Sequence, residues 1–488
     1  MNVPAKLRRT PIPRFQLFIL IFIQFAEPMT ALVIYPFVVQ FVRETGITGG
    51  DETKVGFYAG LLESSFFFAE ALTVYQFGRL SDIYGRRPVL LMAPLGVGLA
   101  MIGFGLSRSF WVLLAFRCAQ GAFNGNLGVA KTVMTEISDP TNVAEIFSYL
   151  QLMWSVGSTT SPFMGGFLAN AAVKWPDTLG KIKILRLHPY FLPCAVAGGV
   201  ALAGFGFAVV GLRETLPSLK ERNKNEQFGS PPTETDPLLS AGSGSLNPTS
   251  DHLDSDLNFD AEVEAIPSFW ELFTPKVRIA LLNHACLCFC DMAYDALIPL
   301  VYSTPVSLGG LGLRPHDIGV IMGSCGIFNA IIQVVFGGRV IRYFGARRIF
   351  TYAFIAYIGV FATYPLLSIL ARRAGHVDAA VIVVLVCQLS SSCMMYFSFA
   401  ATMLFIMDSA PNRRSIGSVT GLSQMVGTVF RGIAPSVASS LFAVSVKHNI
   451  AGGYLVYIIL ACISYGALRC TLMLPRRLSS DAESRDKN

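Results

Sequence analysis

Twelve separate runs of apolar residues recur along this 488-residue chain. Each approaches or exceeds about 20 residues, the length a helix needs to cross the hydrocarbon core of a bilayer. The first six cover residues 15–40, 56–78, 88–107, 110–137, 145–170 and 189–211. The second six cover 276–300, 316–338, 349–370, 379–407, 415–441 and 452–474. In lipid a lone span satisfies its backbone polar groups only as a helix, so every run is expected to be helical. Charged residues make up 14% of the chain, where a soluble protein carries about 25%. An ordinary soluble enzyme, a coiled coil and a disordered chain are thereby excluded. The first run is too long and too interrupted for a cleavable leader and is kept as a span.

An even number of spans puts both termini on one side. Of the 38 Lys and Arg residues, 24 fall on that side, 11 on the other, and Arg117, Lys131 and Arg431 lie inside spans. The positive-inside rule then predicts cytosolic termini. The one long polar stretch, about 213–270, is rich in Gly, Ser, Pro, Asp and Glu and cannot bury a core. The expected organisation is a cytosolic N-terminus (1–14), a first six-helix bundle (15–211) and a largely disordered cytosolic linker (212–275). A second six-helix bundle (276–474) and a cytosolic tail (475–488) follow.

The net charge of +7 does not point to nucleic acid, because the basic residues sit in short clusters between spans. All ten Cys lie in or beside apolar runs and read as buried small hydrophobes. Cys286-Leu-Cys288-Phe-Cys290 lacks zinc spacing, and the six His form no cluster, so neither a metal site nor a cofactor is expected. No nucleophile–base pair or phosphate-binding glycine loop argues for an enzyme.

The two halves echo each other. Gly78-Arg-Leu-Ser-Asp82-Ile-Tyr-Gly85-Arg86-Arg87 follows span two, and Gly338-Arg-Val-Ile-Arg342-Tyr-Phe-Gly345-Ala-Arg-Arg follows span eight. Ser161-Pro162-x-x-Gly165-Gly166 in span five is matched by Ala434-Pro435-x-x-Ala438-Ser439 in span eleven. Internal repeats around a cytosolic hinge are what alternating-access transporters are built from.

The Gly78-x-x-x-Asp82-x-x-Gly85-Arg86-Arg87 segment resembles the cytosolic loop signature of the major facilitator superfamily. Its glycines allow a tight turn, Asp82 can latch onto a basic group or a helix N-terminus, and Arg86 and Arg87 can bind lipid headgroups or facing carboxylates. The second copy has Arg342 where Asp82 would fall. Arg117-x-x-Gln120-Gly121 is similar to the superfamily's intramembrane arginine motif. Ser148-x8-Gly157-x3-Ser161-Pro162-x2-Gly165-Gly166 resembles the antiporter motif of drug/proton exchangers, with Ser161 replacing the usual Gly. Its small residues let two helices touch, and Pro162 bends span five. Gly56-Phe-Tyr-Ala-Gly-Leu-Leu-Glu-Ser-Ser, Asn124-Gly-Asn-Leu-Gly-Val-Ala-Lys131 and Glu214-Thr-Leu-Pro resemble the zinc-induced facilitator-like branch. The Cys-Pro-Gly-Cys stretch and the His after Glu-Thr-Leu of its plant members are absent, so no zinc-linked role follows. The resemblance implies a twelve-helix major facilitator fold that works as a single chain.

A charge at mid-bilayer costs at least about 2.5–3.5 kcal/mol and needs a partner, a cavity or a task. Glu27 precedes Pro28, whose ring is expected to bend span one. Glu63 and Glu70 are seven apart on one face of span two, and Asp291 and Asp295 are four apart on one face of span seven. Arg117, Lys131 and Arg431 are the natural counter-ions. A carboxylate that alternately faces a cation and a solute can load and release a proton. Glu27, Glu70 and Asp291 are the leading candidates, with Arg117 as the switch partner.

The expected function is proton-coupled antiport of a small organic solute out of the cytosol. A proton-independent facilitator and a nutrient sensor signalling through the linker are the alternatives. Glu234-Thr-Asp-Pro-Leu238-Leu239 resembles an acidic dileucine signal read by sorting adaptors, which favours a vacuolar or lysosome-like membrane over the plasma membrane.

Overall fold

A computed structural model describes residues 13–138, 142–216, 272–411 and 415–475. The described residues fold into helices joined by short loops, with no strand among them. Span one runs over Arg14–Leu32 and resumes as Val38–Glu44; span two is Glu52–Tyr84 and span three Arg86–Leu106. Span four is Phe110–Phe123 and Leu127–Glu136, joined by a single 3-10 turn, Asn124–Asn126. Spans five and six are Val143–Leu168 and Phe191–Gly211. The second half repeats the plan with Pro275–Ser303, Pro315–Phe344, Ala346–Ala374, Ala379–Ser409, Ile416–Lys447 and Leu455–Thr471. The architecture is that of an all-α membrane protein, twelve transmembrane helices in two six-helix bundles. The Glu234, Leu238 and Leu239 stretch lies outside the described residues, as do most of the linker and tail.

Several spans exceed the minimum that a bilayer requires. Span two has 33 residues, about 50 Å at 1.5 Å per residue, so it projects beyond a hydrocarbon core of about 30 Å. Alternating helices place the loops at 84–86, 212–216 and 344–346 at one end with the first and last described residues, here the termini end. Loops at 45–51, 169–190 and 304–314 form the far end.

Span one is interrupted at a place the sequence did not mark. The helix runs through Pro28 and breaks at 33–37. Pro36 lacks the N–H that would reach the Leu32 carbonyl, and its ring disfavours helical backbone at Tyr35. The Tyr35 N–H therefore bonds Leu32 O at 3.2 Å, three residues back, and leaves the Ala31 carbonyl without an intrahelical partner. Gly85 and Gly345 occupy the same place in the two halves, with φ of +104° and +79°. Both loops turn through a region that disfavours a Cβ, which explains the repeated glycine. Two cysteines depart from the expected burial: Cys387 and Cys462 face outward, uncovered by protein.

The halves meet at the far end only along part of their length. Span two packs on span eleven where a Cβ on Gly60 would come within 2.7 Å of the Pro435 carbonyl. Beside it, the Ser436 N–H donates to Ser64 Oγ at 2.9 Å. Span five packs on span eight where Gly166 and Gly319 touch backbone to backbone. Continuing the register of spans two and eleven toward the termini end brings up Tyr75 opposite Met425, and Gly78 opposite Gly421. Tyr75 is 73% exposed and Met425 57%, and a Cβ on Gly78 or Gly421 would meet nothing within 4 Å. The apolar core divides accordingly. One cluster runs through both halves, including Phe66, Leu297 and Ala438. Toward the termini end, Leu20, Leu90 and Val133 belong to one cluster and Leu281, Ile406 and Val419 to another. The molecule is closed at the far end and parted at the termini end.

Candidate functional site

Arg117 sits where span one breaks. It is 1% exposed, and it donates to the orphaned Ala31 carbonyl at 2.9 Å and to Gln120 Oε1 at 2.8 Å. Its guanidinium lies 4.5 Å from the centre of the Phe66 ring. Cations favour helix C-terminal carbonyls and aromatic faces, so Arg117 completes the broken helix. Tyr35 beside the break is buried, as is Glu63, whose Oε2 has no hydrogen-bond partner among the described residues.

The remaining interior charges form a chain across the contact between the halves. Glu27 and Glu70 lie within electrostatic reach of each other and of Lys131 and Arg431. Asn124, in the 3-10 turn of span four, donates to Glu27 Oε1 at 3.5 Å. Arg431 comes from the second half and also acts on Asp291, which accepts from Tyr357 Oη at 3.1 Å. Asp295 lies within reach of Asp291 and, across the interface, of Glu63. Glu63 is in turn near Arg117. Among the described residues, none of these carboxylates makes an ion pair of 4 Å or less with any of these cations. The static interhelical salt bridge is therefore not what these residues form here. Carboxylates Glu27, Glu63, Glu70, Asp291 and Asp295 outnumber cations Arg117, Lys131 and Arg431 five to three.

The antiporter motif is a set of clearances. A Cβ on Gly157 would strike the Pro28 ring at 2.4 Å, and one on Gly165 would lie 2.0 Å from the Val33 carbonyl. Gly166 faces Pro315 and Gly319 of span eight. Span five thus touches both span one at its proline and break, and span eight at the closed far end. Ser161, at the position usually held by Gly, is fully buried with no partner for its hydroxyl among the described residues. The Pro162 carbonyl lies against Gly319.

At the end of span two, Asp82 pairs with Arg86, the first residue of span three, at 2.5 Å rather than reaching across the molecule. The Asp82 side chain is 65% exposed. Arg86 also pairs with Glu136 at the end of span four at 3.2 Å and donates to Ser81 Oγ at 2.7 Å. The carboxylate at the N-terminus of span three belongs to Glu214, a residue that sequence reasoning quoted only for its resemblance. Its Oε1 accepts from the Arg86 N–H at 2.8 Å, and its Oε2 from the Arg87 N–H at 3.0 Å. The N–H groups of Thr215 and Leu216 also donate to Oε1, both at 3.0 Å. Burial pushes the Glu214 carboxyl up, but these four donors outweigh it and hold the group below its ordinary range. Thr215 Oγ1 closes the cluster on Glu136 at 2.5 Å.

The chain is similar to known proteins over most of its length. The Major Facilitator Superfamily profile matches residues 18–435. The major facilitator-type transporter psiT2 of Psilocybe cyanescens is 32% identical, over 97% of this chain and 92% of that protein. Protein ZINC INDUCED FACILITATOR-LIKE 1 of Arabidopsis thaliana is 27% identical, over 90% of this chain and 86% of its own length. Among solved structures, a D-xylose-proton symporter superposes with a TM-score of 0.66 at 13% identity, covering 95% of this chain and 98% of that one. With two repeated bundles, a charged interior between them and relatives matched over nearly their full length, this chain belongs to the major facilitator superfamily and is a multi-pass membrane transporter, not an enzyme.

Proposed function

We propose that the chain exports a small organic cation in exchange for protons. The observation that carries this reading is the excess of interior carboxylates over cations, strung along the contact between the halves without contact ion pairs. Unpaired negative charge in a low-dielectric interior is costly, so the site calls for protons or a cationic solute. Protons and solute competing for the same carboxylates give antiport. Glu27, Glu70 and Asp291 are the proton carriers in this account. The parted termini end is the cytosolic mouth, in keeping with the Lys and Arg excess there.

Proton release tests the reading directly. Adding a bound organic cation to detergent-purified protein in weakly buffered solution should release protons. Glu27→Gln, Glu70→Gln and Asp291→Asn together should abolish the release. A cation that binds without any proton release would sink the exchange. For location, we read Leu238 and Leu239 as the address for a vacuolar membrane; a double Ala substitution should move the protein to the cell surface.

A further inference from the structure

Arg86 and Arg87 are adjacent in sequence but part company in space. Arg86 is taken up by Asp82 and Glu136. Arg87 turns the other way, where its Nη2 donates to the Val209 carbonyl at 3.0 Å at the end of span six. There it lines an open cleft of about 430 Å³ with Phe15, Val210, Gly211, Leu212, Arg213 and Glu214.

The walls of this cleft are amphipathic. Val210 is 85% exposed and Phe15 59%, and both belong to spans, so their uncovered faces meet acyl chains. Arg87 and Arg213 both line it, so two basic residues border the same cleft. The one carboxylate in the cleft is Glu214, which is engaged by backbone N–H groups of Arg86, Arg87, Thr215 and Leu216. The cleft is also braced. Gln16 donates from Nε2 to the Gly211 carbonyl at 2.6 Å and accepts the Arg213 N–H at 3.0 Å. Spans one, three and six are thus held together around two arginines and a strip of uncovered apolar surface.

We infer that this cleft binds an anionic phospholipid, with the headgroup phosphate on Arg87 and Arg213 and the acyl chains over Val210 and Phe15. Guanidinium pairs match phosphate oxygens in two-point geometry, and basic pockets between spans recognise anionic headgroups. The apolar strip distinguishes a lipid from a free phosphate ester, which would leave it unused. The bound lipid would lie against the Glu214 cluster and so favour the arrangement of the Gly78–Arg87 segment seen here.

The test is native mass spectrometry of the full-length protein offered equal phosphatidylserine and phosphatidylcholine. Wild type should retain phosphatidylserine preferentially. Arg213→Gln, which leaves the Arg87 bond to Val209 intact, should weaken that retention about fivefold, and Arg87→Gln with Arg213→Gln by the square of that factor. Phosphatidylserine retained equally by wild type and Arg213→Gln overturns the proposal. So does displacement of the lipid by water-soluble glycerophosphate, which would make the cleft a site for a free anion.

Discussion

Single residues carry more than one duty here. Arg117 was legible as an intramembrane charge with a task, yet its structural role depends on a carbonyl freed 86 residues earlier. Replacing it with Leu should leave the buried Ala31 carbonyl unsatisfied, a cost of about 1–3 kcal/mol. A thermal melt of the purified variant should show the loss, while a Gln120→Ala variant should fall less. Glu214 offers a pH signature. Its carboxyl is held below the usual range, so its contribution exists above the unfolded value near 4.3 and disappears as pH falls through the lower folded value. Glu214→Gln should therefore be less stable than wild type at pH 7 by about 1 kcal/mol, as for other helix caps. The two melting curves should converge only under acid conditions below the ordinary carboxylate range. A gap that stayed constant down to pH 3 would mean that Glu214 acts by shape alone. The sequence displayed Glu214 but not its function, because the N–H groups it receives lie 127 and 128 residues away.

At the scale of helices, the length of the apolar runs was enough to locate all twelve spans, because lipid leaves the backbone no other choice. What they could not fix was where a span breaks. Pro28 and Pro36 are both in span one, and only the second interrupts it. Pro28 lies in a continuous helix against Gly157 of span five, whereas Pro36 coincides with the helix end capped by Arg117. The difference is tertiary and has no local signature. The same holds for the antiporter motif, whose glycines were read as one contact and serve two. Gly166→Val would push against the Pro315 carbonyl and Gly319, which already sit at the limit of approach. That variant should fail to close the far end. Labelling of a cysteine introduced at Thr159 in a cysteine-free background should rise, and transport should drop at least tenfold. Unchanged labelling would show that span eight yields easily and that Gly166 is not a clearance.

Over the whole molecule, the charged chain draws on both bundles. Glu27, Glu70 and Glu63 come from the first half, Asp291, Asp295 and Arg431 from the second, so in the proposed exchange rocking one half against the other would change which cation each carboxylate faces. Composition and motif order made the two-bundle plan legible. The carboxylates were legible as outliers in apolar runs, but the bridging place of Arg431 was not, because it joins residues hundreds of positions apart. Neutralising Glu27 or Glu70 to Gln should cut uphill accumulation at least tenfold while downhill exchange of solute for solute persists. Loss of both would instead indicate a solute-binding role. The most direct test of the central claim uses protein reconstituted into vesicles with an acidic interior and a radiolabelled organic cation outside. The account predicts accumulation inside beyond equilibrium, collapse of that gradient on adding a protonophore, and simultaneous loss of protons from the interior. Entry that stops at equal concentrations and ignores the pH gradient would contradict proton-coupled antiport.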